Sequence, residues 1–123
     1  MTGRPERNAP APLPLATGPA PKLILTCFSP GDIGGDAPCA TFDRETILTV
    51  RAGDDVPAGL ELRFARNGET RATVELAALK KGRSMRIPMP RDVCAGMGDG
   101  RLDLQLVRGG GLVKSDGPYS LRC

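Results

Sequence analysis

Four thiols are the side chains of this 123-residue chain with the clearest capacity for chemistry; they are Cys27, Cys39, Cys94 and Cys123. No two of them are separated by only two residues, which is the spacing of zinc ribbons and thioredoxin-like redox sites. A four-thiolate metal site built from distant strands, and free buried thiols, remain as alternatives. The even number of cysteines in a small, loop-rich chain favours two disulfides, which are typical of proteins in an oxidising environment.

The partners in these disulfides follow from where the cysteines fall between the predicted strands. In an up-and-down arrangement, the end of the first strand, the loop after it, the loop that holds Cys94 and the end of the last strand meet at one pole. The first and last strands are neighbours in many sandwiches, and Cys123 is in the inward phase of the last strand. Of the three possible pairings, we therefore predict Cys27–Cys123 and Cys39–Cys94.

Two acidic, glycine-rich stretches could offer carboxylates to Ca²⁺, namely GDIGGD at 31–36 and GDGRLD at 98–103. Neither has the ligand spacing of an EF-hand, and Asp and Gly are also the ordinary residues of turns. The GMGDG stretch at 96–100 is not a GxGxxG motif, and no strand-to-helix context follows it. We therefore predict no metal site and no cofactor.

The chain contains no histidine. Nucleophile arrangements that depend on a histidine base are therefore excluded, and the commonest general base is missing. The carboxylates of Glu61, Glu75 and Asp103 fall in the outward phase of predicted strands, which does not favour an acid–base pair with separated pKa values. We expect a protein that is not an enzyme and has no small-molecule substrate.

The net charge of +3 is mild, and the basic residues are spread along the predicted strands. They include Arg51, Arg63, Arg66, Arg71, Lys80, Lys81, Arg83 and Arg86. This spacing is typical of a solvated sheet face, so we expect no nucleic-acid binding. No run of 18 apolar residues is long enough to span a membrane, and the N-terminus carries no apolar signal-peptide core.

The first 21 residues contain half of the 12 prolines. Proline fixes φ and removes a backbone donor, so this segment is predicted to be an extended arm before a domain at 22–123. This arm offers few large apolar side chains that the core of such a domain could bury. We therefore expect the arm to lie against another chain, with partner contacts from Pro10, Pro12, Leu13, Pro14 and Leu15.

A β-hairpin is predicted across residues 60–76, where apolar and polar residues alternate on both sides of Asn67-Gly68. A two-residue loop would place Phe64 opposite Arg71, with an apolar and a charged side chain on one face. A three-residue loop ending at Gly68 would place Phe64 opposite Thr70 and keep one face apolar. We therefore predict the three-residue loop, with Gly68 in the left-handed conformation.

The other segments repeat this alternation. Strands are predicted at 22–28, 45–51, 84–90, 101–108 and about 112–123, the last interrupted at 116–118, with at most one helical turn at 77–81. Gly109-Gly110 predicts a two-residue turn that sets Leu106 opposite Val113. About seven short strands with regular turns indicate an all-β, immunoglobulin-like or fibronectin-like antiparallel β-sandwich. This is an architectural resemblance only, because no Trp is present.

Two functions fit this sequence. The first is a structural or decoration subunit of a larger extracellular or phage-like particle (a virion), anchored to other protein subunits by its N-terminal arm. The alternative is a free secreted or periplasmic immunoglobulin-like domain for binding or adhesion. Sandwich folds serve both roles, so the fold alone does not choose between them.

Overall fold

The computed structural model describes residues 13–29, 35–96 and 98–123. In this part of the chain nine strands form two sheets around a shared core, and there is one short helix. The strands are β1 (Leu23–Phe28), β2 (Ala37–Pro38), β3 (Thr41–Asp43), β4 (Ile47–Ala52), β5 (Leu60–Arg66), β6 (Glu69–Glu75), β7 (Ser84–Pro88), β8 (Gly100–Arg108) and β9 (Gly111–Arg122). The helix α1 (Arg91–Cys94) lies between β7 and β8.

One sheet has four antiparallel strands in the order β2-β1-β4-β7. The other has five strands in the order β3-β9-β8-β5-β6, in which β3 runs parallel to β9 and the remaining pairs are antiparallel. The all-β class is confirmed, and the seven longer strands follow the predicted ones closely. The wholly antiparallel arrangement is wrong, because β3, which lies between the predicted strands at 22–28 and 45–51, runs parallel to β9.

The core lies between the inner faces of the two sheets, as the alternation predicted. Leu62 of β5 and Leu104 and Leu106 of β8 are all at most 3% exposed. Phe42 and Phe64 are the largest of the fully buried side chains among the described residues. The scarcity of aromatics makes the rest of this core aliphatic, and its stability comes from burying Leu, Val and Ile surface.

The turn between β5 and β6 has two residues, so the predicted three-residue loop is wrong. Arg66 lies opposite Glu69, and Asn67 and Gly68 both have positive φ, at 49° and 87°. Positive φ at both central residues defines the type I′ turn that Asn-Gly favours. The predicted left-handed Gly68 is confirmed.

A β-bulge reconciles this short turn with an apolar inner face. Ala65 lies opposite Thr70, but the next pair is Phe64 with Ala72, because the register shifts between Phe64 and Ala65. Arg71 is therefore the extra residue of β6. The sheet accommodates this charged residue by a bulge, in which two residues of one strand lie opposite one residue of the other.

The Gly109-Gly110 turn between β8 and β9 also has two residues with positive φ, as predicted. A register shift after the pair of Val107 with Leu112 places Leu106 opposite Lys114 and not opposite Val113. Strand β9 then continues through Gly117 and Pro118, which are joined by a cis peptide bond. The predicted interruption at 116–118 is therefore a second irregularity within one strand.

The predicted helical turn at 77–81 is absent from the described chain. Leu79 instead forms an isolated antiparallel bridge with Val56, with two backbone hydrogen bonds of 2.7 and 2.9 Å. The single helical turn of the described residues is α1, in the segment predicted as a loop. Pairing with Val56 satisfies backbone groups that a free helical turn would leave to water.

Candidate functional site

The four cysteines form two disulfides, and no free cysteine remains among the described residues. They lie at the pole where β1, β7 and β9 end and β4 and β8 begin, which we call the cysteine pole. The bonds join Cys27 to Cys39 and Cys94 to Cys123. The predicted partners are therefore wrong, although all four thiols pair and share one pole.

The strand order explains the error in the pairing. Strand β1 belongs to the four-stranded sheet and β9 to the five-stranded sheet, so the first and last strands are not neighbours. Cys27 lies opposite Ala37 of β2, which brings Cys39 within reach. Cys94 lies on α1 and bonds to Cys123 after β9, so this disulfide ties the segment after β7 to the other sheet.

Arg66 lies at the centre of the cysteine pole and is only 4% exposed. Its Nη1 donates hydrogen bonds to Cys123 Sγ at 3.2 Å and to the carbonyl oxygen of Val93 at 3.3 Å. Its Nη2 donates to the carbonyl oxygens of Gly98 and Asp99. The guanidinium therefore holds α1, the segment before β8 and the Cys94–Cys123 disulfide around one buried cation.

The burial of Arg66 contradicts the prediction that it lies on a solvated sheet face. Arg66 follows Leu60, Leu62 and Phe64 at intervals of two, so it is in the inward phase of β5. This phase is the signal in the sequence that indicates burial, whereas the predicted three-residue loop places Arg66 in the turn. No described carboxylate forms an ion pair with Arg66, and its Nε has no hydrogen-bond partner. Within the described chain, carbonyl dipoles and one sulfur atom are therefore the groups that compensate this buried charge.

A groove of about 780 Å³ opens beside the cysteine pole. Its lining includes two arginines and one aspartate, namely Arg44, Arg91 and Asp92, together with Cys94; we call it the polar groove. The turn that carries Arg44 is held by Asp43, whose side chain accepts a hydrogen bond from the backbone of Glu45 at 2.8 Å. The groove has room for a small polar molecule with a net negative charge, and one residue of a disulfide, Cys94, is part of its lining.

The described part of the N-terminal segment, from residue 13 onwards, makes hydrogen bonds to its own domain, and the contact with another chain stays a prediction. Ala16 N donates to the carbonyl oxygen of Leu112 at 2.9 Å, and Leu112 N donates to that of Pro14 at 2.7 Å. Arg108 Nη2 donates to the carbonyl oxygen of Thr17 at 2.6 Å. The sandwich therefore holds this segment by backbone pairing at the edge of β9, and needs no deep apolar anchor.

The predicted partner residues of this segment differ in exposure, and two of them are not described. Pro10 and Pro12 lie outside the described residues, whereas Leu13 is half-buried and Pro14 is exposed. Leu15 is paired with Leu112 through the backbone, yet its side chain is 81% exposed. Ile24, on the outer face of β1, is the other exposed large hydrophobic residue of the described chain, at 43%.

Some of the basic side chains lie on the outer face of the four-stranded sheet. Arg86 lies over the ring of Phe28, with its guanidinium carbon 5.8 Å from the ring centre. Arg86 also lies 4.0 Å from a carboxylate oxygen of Asp36, which accepts a hydrogen bond from Thr26. These are local contacts of an exposed face and do not form a continuous basic stripe.

Tyr119 lies on β9 with its ring edge-to-face against Phe42, at 5.2 Å between centroids. Burial raises the pKa of its phenol above the ordinary value of 10.0, and the charge of Asp116 adds to this effect. Asp116 in turn lies 3.8 Å from Lys114. This shift moves the pKa of the phenol further from physiological pH, which does not favour a role for Tyr119 as a base or nucleophile.

Positions 31–34 of the first acidic loop lie outside the described residues. Among the residues that the structure does describe, no three His, Cys, Asp or Glu side chains are grouped to hold a metal ion. None of the described helices is long and apolar enough to cross a membrane. Comparisons with models of protein families, with curated proteins and with solved structures found no match for this chain.

Proposed function

We propose that this protein is a non-enzymatic structural subunit of a larger extracellular assembly, such as a phage-like particle, and that its N-terminal arm anchors it there. The observation that carries this proposal is the exposed Leu15 side chain on a segment that is already fixed by backbone hydrogen bonds. The two disulfides support a location in an oxidising environment.

The geometry of the arm favours a docking role for Leu15. Its backbone is paired with Leu112, so the leucine has lost much of its freedom before any partner arrives. Preorganised contacts bind more tightly because less entropy is lost on association. Burying one leucine side chain contributes about 2 kcal/mol, which is enough to make Leu15 one anchor among several.

We also propose that the two sheets form an immunoglobulin-like sandwich. This is supported by the chain's repeated passage between the sheets, at β2–β3, β3–β4, β4–β5, β6–β7 and β7–β8. It is also supported by the order of the five-stranded sheet, where the last two strands pair and a short early strand covers the edge of β9. Domains of this architecture often serve as modules in larger structures.

The test is the native mass of the protein isolated from its source, for the wild type and for Leu15→Ser produced from the same locus. We expect the wild type in a large particle and the variant largely as free protein. Ile24→Ser is the matched control, because it removes the other exposed large hydrophobic side chain while leaving the arm intact. If Leu15→Ser enters the particle as well as Ile24→Ser does, the arm is not the anchor.

A free secreted or periplasmic binding domain is the second candidate, and the polar groove favours it. The groove places Arg44 and Arg91 around a volume of about 780 Å³, which suits a small anionic ligand. A wild-type native mass equal to that of one chain would favour this second function over the first.

A further inference from the structure

We propose that the Cys94–Cys123 disulfide is a site of thiol–disulfide exchange, at which a small anionic thiol enters the polar groove, attacks Cys94 and releases Cys123 as a thiolate held by Arg66. The Cys27–Cys39 disulfide has a structural role only. The site is the juxtaposition of a disulfide, a buried guanidinium and a groove.

The first step of the argument is the contact between Arg66 and Cys123. Arg66 Nη1 donates a hydrogen bond to Cys123 Sγ at 3.2 Å, and the guanidinium is 4% exposed without a carboxylate partner among the described residues. A neighbouring arginine favours the thiolate over the thiol. A thiolate at Cys123 would supply the anion that this buried cation lacks.

The second step is the choice of the attacked sulfur. A disulfide is cleaved more readily when the departing sulfur is the better stabilised thiolate. Arg66 stabilises Cys123, so the incoming thiolate bonds to Cys94. The new S–S bond uses the electron pair of that thiolate, and the pair of the old Cys94–Cys123 bond goes to Cys123. No other oxidant or reductant is needed, and the product is a mixed disulfide at Cys94.

The third step is access. Cys94 is part of the lining of the polar groove and is only 5% exposed. The proposed route to its sulfur is therefore the groove, which a small thiol can enter and a bulky protein thiol cannot. Arg44 and Arg91 outnumber Asp92 in the lining. A thiol that carries a carboxylate or sulfonate therefore fits this groove better than a cationic thiol.

The two disulfides provide a control within one molecule. Cys27 is 9% exposed and Cys94 is 5% exposed, and their partners Cys39 and Cys123 are both partly buried. Exposure therefore predicts similar reactivity for the two bonds. Among the described residues no basic side chain is hydrogen-bonded to Cys27 or Cys39, so the cation beside Cys123 is the main difference between them.

The experiment treats the full chain with 2-mercaptoethanesulfonate, stops the reaction with iodoacetamide and digests before aspartate, which places each cysteine on a separate peptide. We expect Cys94–Cys123 to open at least about tenfold faster than Cys27–Cys39, given the dependence of exchange on the leaving thiolate. The first product should carry the added thiol on Cys94 and carbamidomethyl on Cys123. Equal rates, or addition at Cys123, would overturn the proposal.

A series of thiols tests the groove without altering the protein. At equal thiolate concentration the rate should fall from 2-mercaptoethanesulfonate to neutral 2-mercaptoethanol to cationic cysteamine. Arg44→Gln combined with Arg91→Gln should reduce this preference, whereas Arg51→Gln, on an exposed face away from the groove, should leave it unchanged. A rate that is independent of thiol charge would exclude entry through the groove.

Variants at Arg66 test the cation directly. Arg66→Lys should keep the faster opening of Cys94–Cys123, and Arg66→Gln should bring the two rates within about threefold of each other. If Arg66→Gln retains the full difference, Arg66 is not responsible. Should that variant fail to fold, the wild-type rates, the modified position and the thiol series still decide the proposal.

Discussion

Gly117 of β9 lies so close to Asp103 of β8 that a Cβ atom added to the glycine would be 2.9 Å from the Asp103 Oδ1 atom. The same Cβ would lie 2.9 Å from the carbonyl oxygen of Leu102, which belongs to the backbone and cannot rotate away. Gly117 also has a φ of 121°, a backbone conformation that residues with a side chain rarely adopt. The close approach of β8 and β9 at this irregularity therefore requires glycine.

We expect Gly117→Ala to lower the free energy of unfolding by about 1–3 kcal/mol, through strain at positive φ and the contact with Leu102. The measurement is urea denaturation. Gly98→Ala is the control, because a Cβ at Gly98 meets nothing within 4 Å and its φ is not positive. Equal midpoints for the two variants would contradict the close approach of the strands.

Removal of each disulfide should destabilise the protein according to the loop that it closes. The Cys27–Cys39 and Cys94–Cys123 bonds have sequence separations of 12 and 29. In the chain-entropy model these loops correspond to about 3 and about 3.6 kcal/mol. We expect the double alanine variants to lose stability in this order in denaturation experiments. Peptide mapping that linked Cys27 to Cys123 would contradict the observed pairing.

Leu104 should be a major contributor to stability. It is 1% exposed between the two sheets, so Leu104→Ala removes buried surface and leaves a cavity, at a cost of about 2–5 kcal/mol. Arg101→Ala, an exposed position on the same strand, should change stability by no more than about 0.5 kcal/mol. Denaturation midpoints of the two variants give the comparison, and similar midpoints would refute the assigned faces of β8.

Stability should fall at alkaline pH because of Tyr119. Burial, with Asp116, raises the pKa of this phenol in the folded protein, so the folded state holds the proton more tightly than the unfolded chain. This contribution to stability is fully present below the unfolded pKa near 10 and is lost as the pH rises through the folded pKa. Tyr119→Phe should remove the part of the alkaline loss of stability that comes from this phenol.

Tyr119 is the single tyrosine of a chain without tryptophan, so the absorbance of tyrosinate reports its titration directly. We expect a midpoint above 10.0 in the folded protein and a return to about 10 in urea. A folded midpoint at or below 10 would contradict the burial of the phenol.

The strands could be predicted from the sequence because alternation is a local property. Leu102, Leu104 and Leu106 alternate with polar residues and are buried in β8, as expected. The two-residue Gly109-Gly110 turn was predictable for the same reason, since it depends on the residues of the turn itself. The pairing of all four cysteines followed from their even number in a small chain.

The bulges could not be predicted in this way. A two-residue turn at Asn67-Gly68 conflicts with the apolar phase unless the register shifts by one residue at Arg71. Whether a strand gains a bulge or a longer loop depends on how its partner packs in the sheet, which alternation does not encode. The same limit applies to Leu106, which lies opposite Lys114 because of a second register shift.

The sequence alone therefore determined the seven longer strands, their inward faces and the pairing of all four thiols in disulfides, because each depends on neighbouring residues or on composition. The tertiary structure decided which strands share a sheet, and through that the partners of Cys27 and Cys123, the docking of Pro14–Ala16 on Leu112 and the burial of Arg66. These are contacts between residues far apart in the chain. Their existence depends on the packing of two whole sheets, which no local pattern of residues specifies.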